Sequence, residues 1–190
     1  MGGDYFRGNT DDILSEIGWQ SMLKAVDCNK PWDKVVTSPL RRCQDFAKAY
    51  SGISKLPLTV EQDLREIHFG SWEKETTKQL HQKYPDQLRS FWTSPETFTP
   101  PNGEPFIDFQ KRVIDVWNAQ LNKIVFSHTN GILLITHGGV IRVILAWILK
   151  IPLVTLLKIE LPMASISRIQ IMTDQHNNFI YKVIFIARKY

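Results

Sequence analysis

The segment Ile132–Leu149, ILLITHGGVIRVILAWIL, constrains the fold more than any other. A short apolar run from Ile132 to Thr136 leads into His137 and two glycines, and a second apolar run follows. The first run suits a buried strand and the second a helix packed on the sheet. The stretch Val140–Leu161 is apolar enough to raise a membrane span, which needs roughly 20 uninterrupted apolar residues. Arg142, Lys150, Pro152 and Lys158 interrupt it, so it reads as core.

The rest of the chain repeats the alternation. Ser15 can cap a helix over SEIGWQSMLKAV, with Ile17, Met22, Leu23 and Val26 as its apolar positions. KVVTS is a buried strand, and Pro39 opens a helix, PLRRCQDFAKAY, where a missing N–H costs nothing. LPLTV is a second strand, LREIHFGSWEK a loop, and Thr76–Trp92 a pair of short helices broken at Pro85. TSPETFTPPNGEP is the most loop-like stretch, and an amphipathic helix follows near Phe106–Phe126. The strands SISRIQIM and FIYKVIFIA close the chain around TDQHNN, where Asp174, Asn177 and Asn178 signal a hairpin. Strands alternating with helices predict an α/β fold with a mostly parallel sheet, the terminal hairpin adding an antiparallel edge. No linker divides the 190 residues, so residues 1–190 read as one domain.

The net charge of +4 comes from scattered Lys and Arg, with no basic run that would suit nucleic acid, whereas an anionic small substrate fits. Cys28 and Cys43 lack CxxC spacing and read as reduced thiols of a cytoplasmic protein. The polar, glycine-rich start MGGDYFRGNTDD is not a signal peptide.

Three segments carry candidate chemistry. In an open parallel sheet, ligands collect at the carboxyl ends of strands. His137 stands at such an end, ahead of glycines and a helix N-terminus whose amides favour anions. A histidine that only caps a loop fits the pattern equally. In KVVTSPLRRC, Arg41 and Arg42 fall in the first turn of a helix, where cations are unfavourable unless an anion shares the site. At most one of two neighbours can face that site; alternatively both snorkel to solvent. In LREIHFGSWEK, Glu66 and His68 stand beside Phe69 and Trp72. A carboxyl held among apolar rings has a raised pKa and can serve as a general acid. Taken alone, Glu66 reads better as a surface residue paired with Arg65 or Lys74. Phe69, Trp72, Phe91 and Trp92 suit a ring-bearing substrate and a hydrophobic core equally.

Together the strings FRGNTDDILSEIGW, VVTSPLRRCQDFA, LREIHFGSWE, PPNGEPFIDFQKRV and ILLITHGGVIR resemble the histidine phosphatase (phosphoglycerate mutase-like) superfamily, in its order and spacing and over nearly the whole chain. Within it they resemble most the alpha-ribazole phosphatase branch, which acts in cobalamin nucleotide-loop assembly. The resemblance implies a three-layer αβα fold and a cytoplasmic, metal-independent phosphomonoesterase without cofactor. Its substrate would be a small phosphorylated metabolite such as alpha-ribazole 5'-phosphate. It implies no nucleic-acid or membrane partner and leaves the oligomeric state open. Matched by motif, Arg42 grips the phosphoryl oxygens, His137 stabilises the transferring group and Glu66 protonates the leaving oxygen. Gly138 opens the helix whose amides assist, and Arg7 and Gly8 border the substrate. Gly103 and Glu104 shape the pocket rim. His81, His128 and His176 take no role and default to the surface. A mutase reading fits less well, since family mutases are longer.

The family's nucleophile is a histidine in a buried Arg-His-Gly strand upstream of the GNTDD loop, and no such triplet occurs here. None of the five histidines, His68, His81, His128, His137 and His176, has the required position. That strand is central in the family's sheet, and its loss leaves buried edges with unpaired N–H and C=O groups. The chain is therefore expected to be N-terminally truncated, poorly stable or prone to pair with other strands. An inactive fragment or pseudoenzyme that at most binds phosphate or a partner is the alternative to an enzyme. In-frame codons upstream of Met1 spelling a hydrophobic strand and Arg-His-Gly are the expected finding of sequencing the coding DNA, and their absence favours a fragment or pseudoenzyme.

Overall fold

The computed structural model describes residues 5–27, 31–127, 131–176 and 178–190. Cys28, His128 and Asn177 lie outside the described residues. Contacts divide the chain into two compact units, one of Met1–Leu14 with Trp32–Lys158 and one of Ser15–Pro31 with Ile159–Tyr190.

In the larger unit, strands β1 (Lys34–Thr37), β2 (Leu58–Val60) and β3 (Ile132–Ile135) form a parallel sheet in the order β2-β1-β3. β1 is central because it is apolar on both faces: Val35, Val36 and Thr37 are fully buried. Its register sets Val36 opposite Leu134 and Thr37 opposite Ile135, so the chain leaves both strands side by side. The helix after β1, α2 (Arg41–Ser54), starts later than Pro39 suggested. Pro39 lies in the bend before it, and the Asp11 carboxylate accepts the Arg41 backbone N–H at 2.7 Å. Phe46 and Ala47 on this helix are fully buried.

Two short helices, α3 (Thr77–Lys83) and α4 (Pro85–Thr93), follow as expected on either side of Tyr84. Thr76 caps the first through a complete capping box with Gln79, which satisfies donors a helix start otherwise leaves unpaired. The long helix α5 (Phe106–Ser127) buries Phe109, Val113 and Leu121, and α6 (Gly138–Leu149) buries Val140, Val143 and Leu145. Among the described residues no helix is long and apolar enough to cross a membrane. A short helix, α7 (Leu153–Leu156), completes the unit.

The loop from Arg65 to Lys74, which carries Glu66, packs on an aromatic cluster. Phe6, Trp72, Leu80, Leu88 and Phe91 are buried together, with Phe69 and Phe98 against them. Ring pairs meet edge to face: Phe6–Phe69 at 4.8 Å and Trp72–Phe91 at 5.7 Å.

The smaller unit holds α1 (Glu16–Asp27) and the antiparallel pair β4 (Ile166–Thr173) and β5 (Phe179–Arg188). Ser15 caps α1 by accepting the Gly18 N–H at 3.1 Å. The hairpin forms as expected, and Asp174 closes its turn by accepting the N–H groups of His176 and Asn178, each at 2.8 Å. Among the described residues the pair forms a two-stranded antiparallel sheet, β4-β5.

Trp72 is fully buried at the centre of the aromatic cluster. Trp72→Ala should cost about 3–5 kcal/mol, read as a lowered urea midpoint, because the cavity cannot refill.

Candidate active site

The side-by-side exit of β1 and β3 places Ser38 next to His137. The Ser38 N–H donates to Ile135 O at 3.0 Å, and its hydroxyl lies 2.7 Å from His137 Nε2. On the other side of the ring, Arg42 Nε donates to His137 Nδ1 at 3.2 Å. Guanidinium nitrogens only donate, so Nδ1 accepts and the proton sits on Nε2, donated to Ser38 Oγ. Burial holds His137 neutral, well below the ordinary histidine value, and the charges of Arg42 and Arg112 push the same way. His137 is therefore a fixed neutral donor ahead of α6. The Cys43 thiol lies 3.7 Å from Nδ1, and burial pushes it up to about 12, so it stays protonated.

Arg42 turns inward and Arg41 outward, as neighbours on a helix must. Arg41 pairs with Asp45 at 3.5 Å on the surface. Arg42 Nη1 donates to Thr10 O at 2.7 Å and Nη2 to Gly8 O at 2.9 Å. Gly8 has a φ of +51°, which favours glycine, and an added Cβ would collide with Glu73 Oε1. Arg7, beside it, pairs with Asp12 at 3.4 Å and lies over the Tyr5 ring at 4.7 Å.

Glu66 reaches the start of α6. Its carboxylate accepts the Gly139 N–H at 3.0 Å and the Ile67 N–H at 3.1 Å. Burial raises its pKa; the two N–H groups and the Arg42 and Arg142 charges oppose that without cancelling it. Gly139 permits the approach, since a Cβ there would overlap Glu66 Oε1. Glu66 thus contacts neither Arg65 nor Lys74 in the way a surface glutamate would; Arg65 instead pairs with Asp63 at 3.3 Å.

Three residues that the sequence reading passed over hold this arrangement. Glu73 accepts the Asn9 N–H at 2.8 Å and the Thr10 hydroxyl at 2.6 Å, joining the first loop to the third. His68 Nε2 lies 3.6 Å from the same carboxylate. Arg112 on α5 donates to the carbonyls of Asp63, Arg65 and Glu66 at 2.6, 2.8 and 3.1 Å, and so fixes the backbone that carries Glu66. Its other edge grips Glu104 in a bidentate pair at 2.6 and 2.8 Å. Glu104 is therefore committed to Arg112 and to the His68 N–H rather than turned to an open rim. Ser38, which fixes the His137 tautomer, is the third. A carboxylate three residues after Gly70 and a cation beside Val113 on the buried side of α5 were the available signals.

The structure thus brings Arg42, His137, Glu66, Gly8 and Gly138 together and leaves Glu104 as a brace. His81 and His176 are exposed. Among the described residues no group of three or more His, Cys, Asp and Glu could hold a metal.

The two perturbed groups give opposite pH limbs. His137, depressed when folded, contributes stability above the ordinary value of 6.5 that is lost as pH falls toward its folded value. Glu66, raised when folded, contributes stability below the ordinary 4.5 that is lost as pH climbs through its folded value. Urea midpoints followed against pH should show a shallower acid limb for His137→Asn, and for Glu66→Gln a smaller loss above 4.5.

The profile of the Histidine phosphatase superfamily (branch 1) matches residues 2–180. A Hydrogenobacter thermophilus relative bearing a phosphoserine phosphatase name is 28% identical over 178 residues, 93% of this chain and 85% of that one. The adenosylcobalamin/alpha-ribazole phosphatase of Salmonella typhimurium is 27% identical over 153 residues, covering 80% of this chain and 74% of its own. Among solved structures, a mycobacterial glucosyl-3-phosphoglycerate phosphatase superposes with a TM-score of 0.82 at 23% identity, over 99% of this chain and 94% of that one. With its model matched over residues 2–180, the chain belongs to the histidine phosphatase superfamily.

Proposed function

We propose that this chain serves a cytoplasmic, metal-independent phosphomonoesterase for a small phosphorylated metabolite, through a phosphohistidine formed in a form that carries the Arg-His-Gly strand. The observation that carries the reading is the Arg42 Nε to His137 Nδ1 contact of 3.2 Å, with Glu66 bound at the adjoining helix start. A phosphomonoester is a dianion, and a permanent guanidinium and helix amides beside a neutral imidazole are the groups that would receive it. In the chemistry we assign, a histidine nitrogen attacks phosphorus and the P–O bond to the alcohol breaks. Protonated Glu66 delivers its proton to that oxygen, because an alkoxide leaves poorly. Water, giving a proton back to the Glu66 carboxylate, then attacks phosphorus and breaks the P–N bond, releasing phosphate and the histidine.

Alpha-ribazole 5'-phosphate is the substrate we favour within this class, on the strength of the Salmonella relative. A binding-only role is the second reading. It draws on Arg42, whose terminal nitrogens already serve the carbonyls of Gly8 and Thr10.

Turnover of p-nitrophenyl phosphate by a form bearing the N-terminal strand tests the enzyme reading. Arg42→Ala should lower kcat/KM by roughly a hundredfold or more. Glu66→Gln should slow an alkyl phosphate far more than p-nitrophenyl phosphate, whose leaving group needs little protonation. A folded, strand-bearing form without activity, with phosphate affinity indifferent to Arg42→Ala, would sink the idea. Tight vanadate binding by the 190-residue chain without turnover by either form favours the binder.

A further inference from the structure

Next to the cradle the larger unit lines a half-open cavity of about 210 Å³. Of the three cradle residues, Glu66 lines it and Arg42 and His137 do not. Six of its lining residues are aromatic, among them Phe69, Phe91 and Trp92. The rings are locked by their neighbours: Phe91 meets Trp92 at 5.0 Å and Phe69 at 5.8 Å, all edge to face. The charged lining comes from Glu66 and Arg142, which attract each other. Arg142 leaves α6 one turn after Gly138, and a Cβ on that glycine would lie 3.1 Å from its Nη1.

A proton donor marks where the leaving oxygen sits, so the carbon side of that oxygen points into whatever space the donor also lines. Here that space is walled by rings. An apolar cavity of about 150 Å³ accepts benzene, so this one has room for one or two fused rings. A leaving group with its own charge would exchange water for aromatic faces. It would find one guanidinium there, whose charge Glu66 already opposes. Preorganised ring walls, by contrast, receive a planar apolar group with little ordering cost.

We infer that this cavity is the leaving-group pocket and that it selects a neutral aromatic ring system of one or two fused rings. Its role as a leaving-group pocket rests on the phosphatase reading; its affinity for rings does not.

Calorimetry on the 190-residue chain separates the two. The probes are 1-naphthol for the ring, inorganic phosphate for the anion, and 1-naphthyl phosphate against glycerol 3-phosphate for the ester. The expected result is that 1-naphthyl phosphate binds at least about tenfold tighter than glycerol 3-phosphate, and that 1-naphthol binds by itself. Trp92→Ala removes a half-exposed wall, and Leu157→Trp fills the cavity from its rim. Each should weaken 1-naphthol about tenfold more than it weakens inorganic phosphate. Circular dichroism checks that each variant is folded, and either one alone suffices. Equal affinity for the two esters, no binding of 1-naphthol, or 1-naphthol binding untouched by a folded variant overturns the inference. Loss of phosphate binding with 1-naphthol binding intact overturns the cradle instead and leaves the ring pocket standing.

Discussion

The Arg112 guanidinium gives the Glu66 loop its shape. Residues 63 to 66 run outside any strand ladder, and backbone carbonyls there have no regular partner. Arg112 supplies one for each of Asp63, Arg65 and Glu66 while Glu104 neutralises its charge. The pair is nearly buried, with side-chain exposures of 10% and 14%. Removing either member would strand the other away from water, which is far costlier than losing a surface ion pair. The position of the candidate acid is thus decided on α5, some forty residues along the chain from Glu66. Glu73 plays the matching part for the Gly8–Thr10 loop, so two carboxylates and one guanidinium convert three irregular segments into walls.

Burial acts on the titratable groups of the cradle in one direction, toward neutrality. It lowers His137 and raises Glu66 and Cys43. The resting site therefore keeps Arg42 as its permanent charge while its imidazole and thiol are neutral. Phosphoryl oxygens entering such a site would meet a donor set that needs no proton transfer to bind them, which is the sense in which a desolvated site is preorganised. Cys43 illustrates the limit of proximity as an argument. It lies beside His137, yet a thiol pushed up to about 12 offers almost no thiolate for nucleophilic work.

The strands and helices were legible because their periodicities are local. KVVT, ILLI and the two terminal strands carry β-branched runs, and Phe106–Ser127 carries a helical stripe. Pro39 misled by two residues, because Ser38 Oγ accepts the Leu40 N–H at 3.2 Å and holds the chain in a bend before α2 begins. The hairpin was legible from its own turn and alternating strands, whereas ladder partners between distant strands are chosen by residues far away in sequence. The same divide runs through the site. His137 announces itself at the end of a strand and Arg42 in the first turn of the helix that follows one, where a cation needs an anion to share the site. Glu66 looked like a surface residue because its burial is made by α5 and α6 together. Arg112 and Glu73 were silent, because a brace is recognisable only from the loop it braces.

The start of α6 joins these levels. Gly139 lets a carboxylate sit against the helix terminus, where the exposed N–H groups and the dipole favour the ionised form. The surrounding apolar wall favours the protonated form, and burial is the larger effect. Glu66 is therefore held between an anion-stabilising helix end on one side and a ring-lined cavity on the other. Any group entering that cavity expels water and pushes the balance further toward the acid form, while any anion entering the cradle beside Arg42 does the same by repulsion. Occupation of the site would thus raise the proton affinity of the very residue placed to give a proton up, and departure of the alcohol would relax it. A carboxyl in ordinary solvent could not couple in this way, which is why its placement between the helix end and the cavity matters as much as its identity.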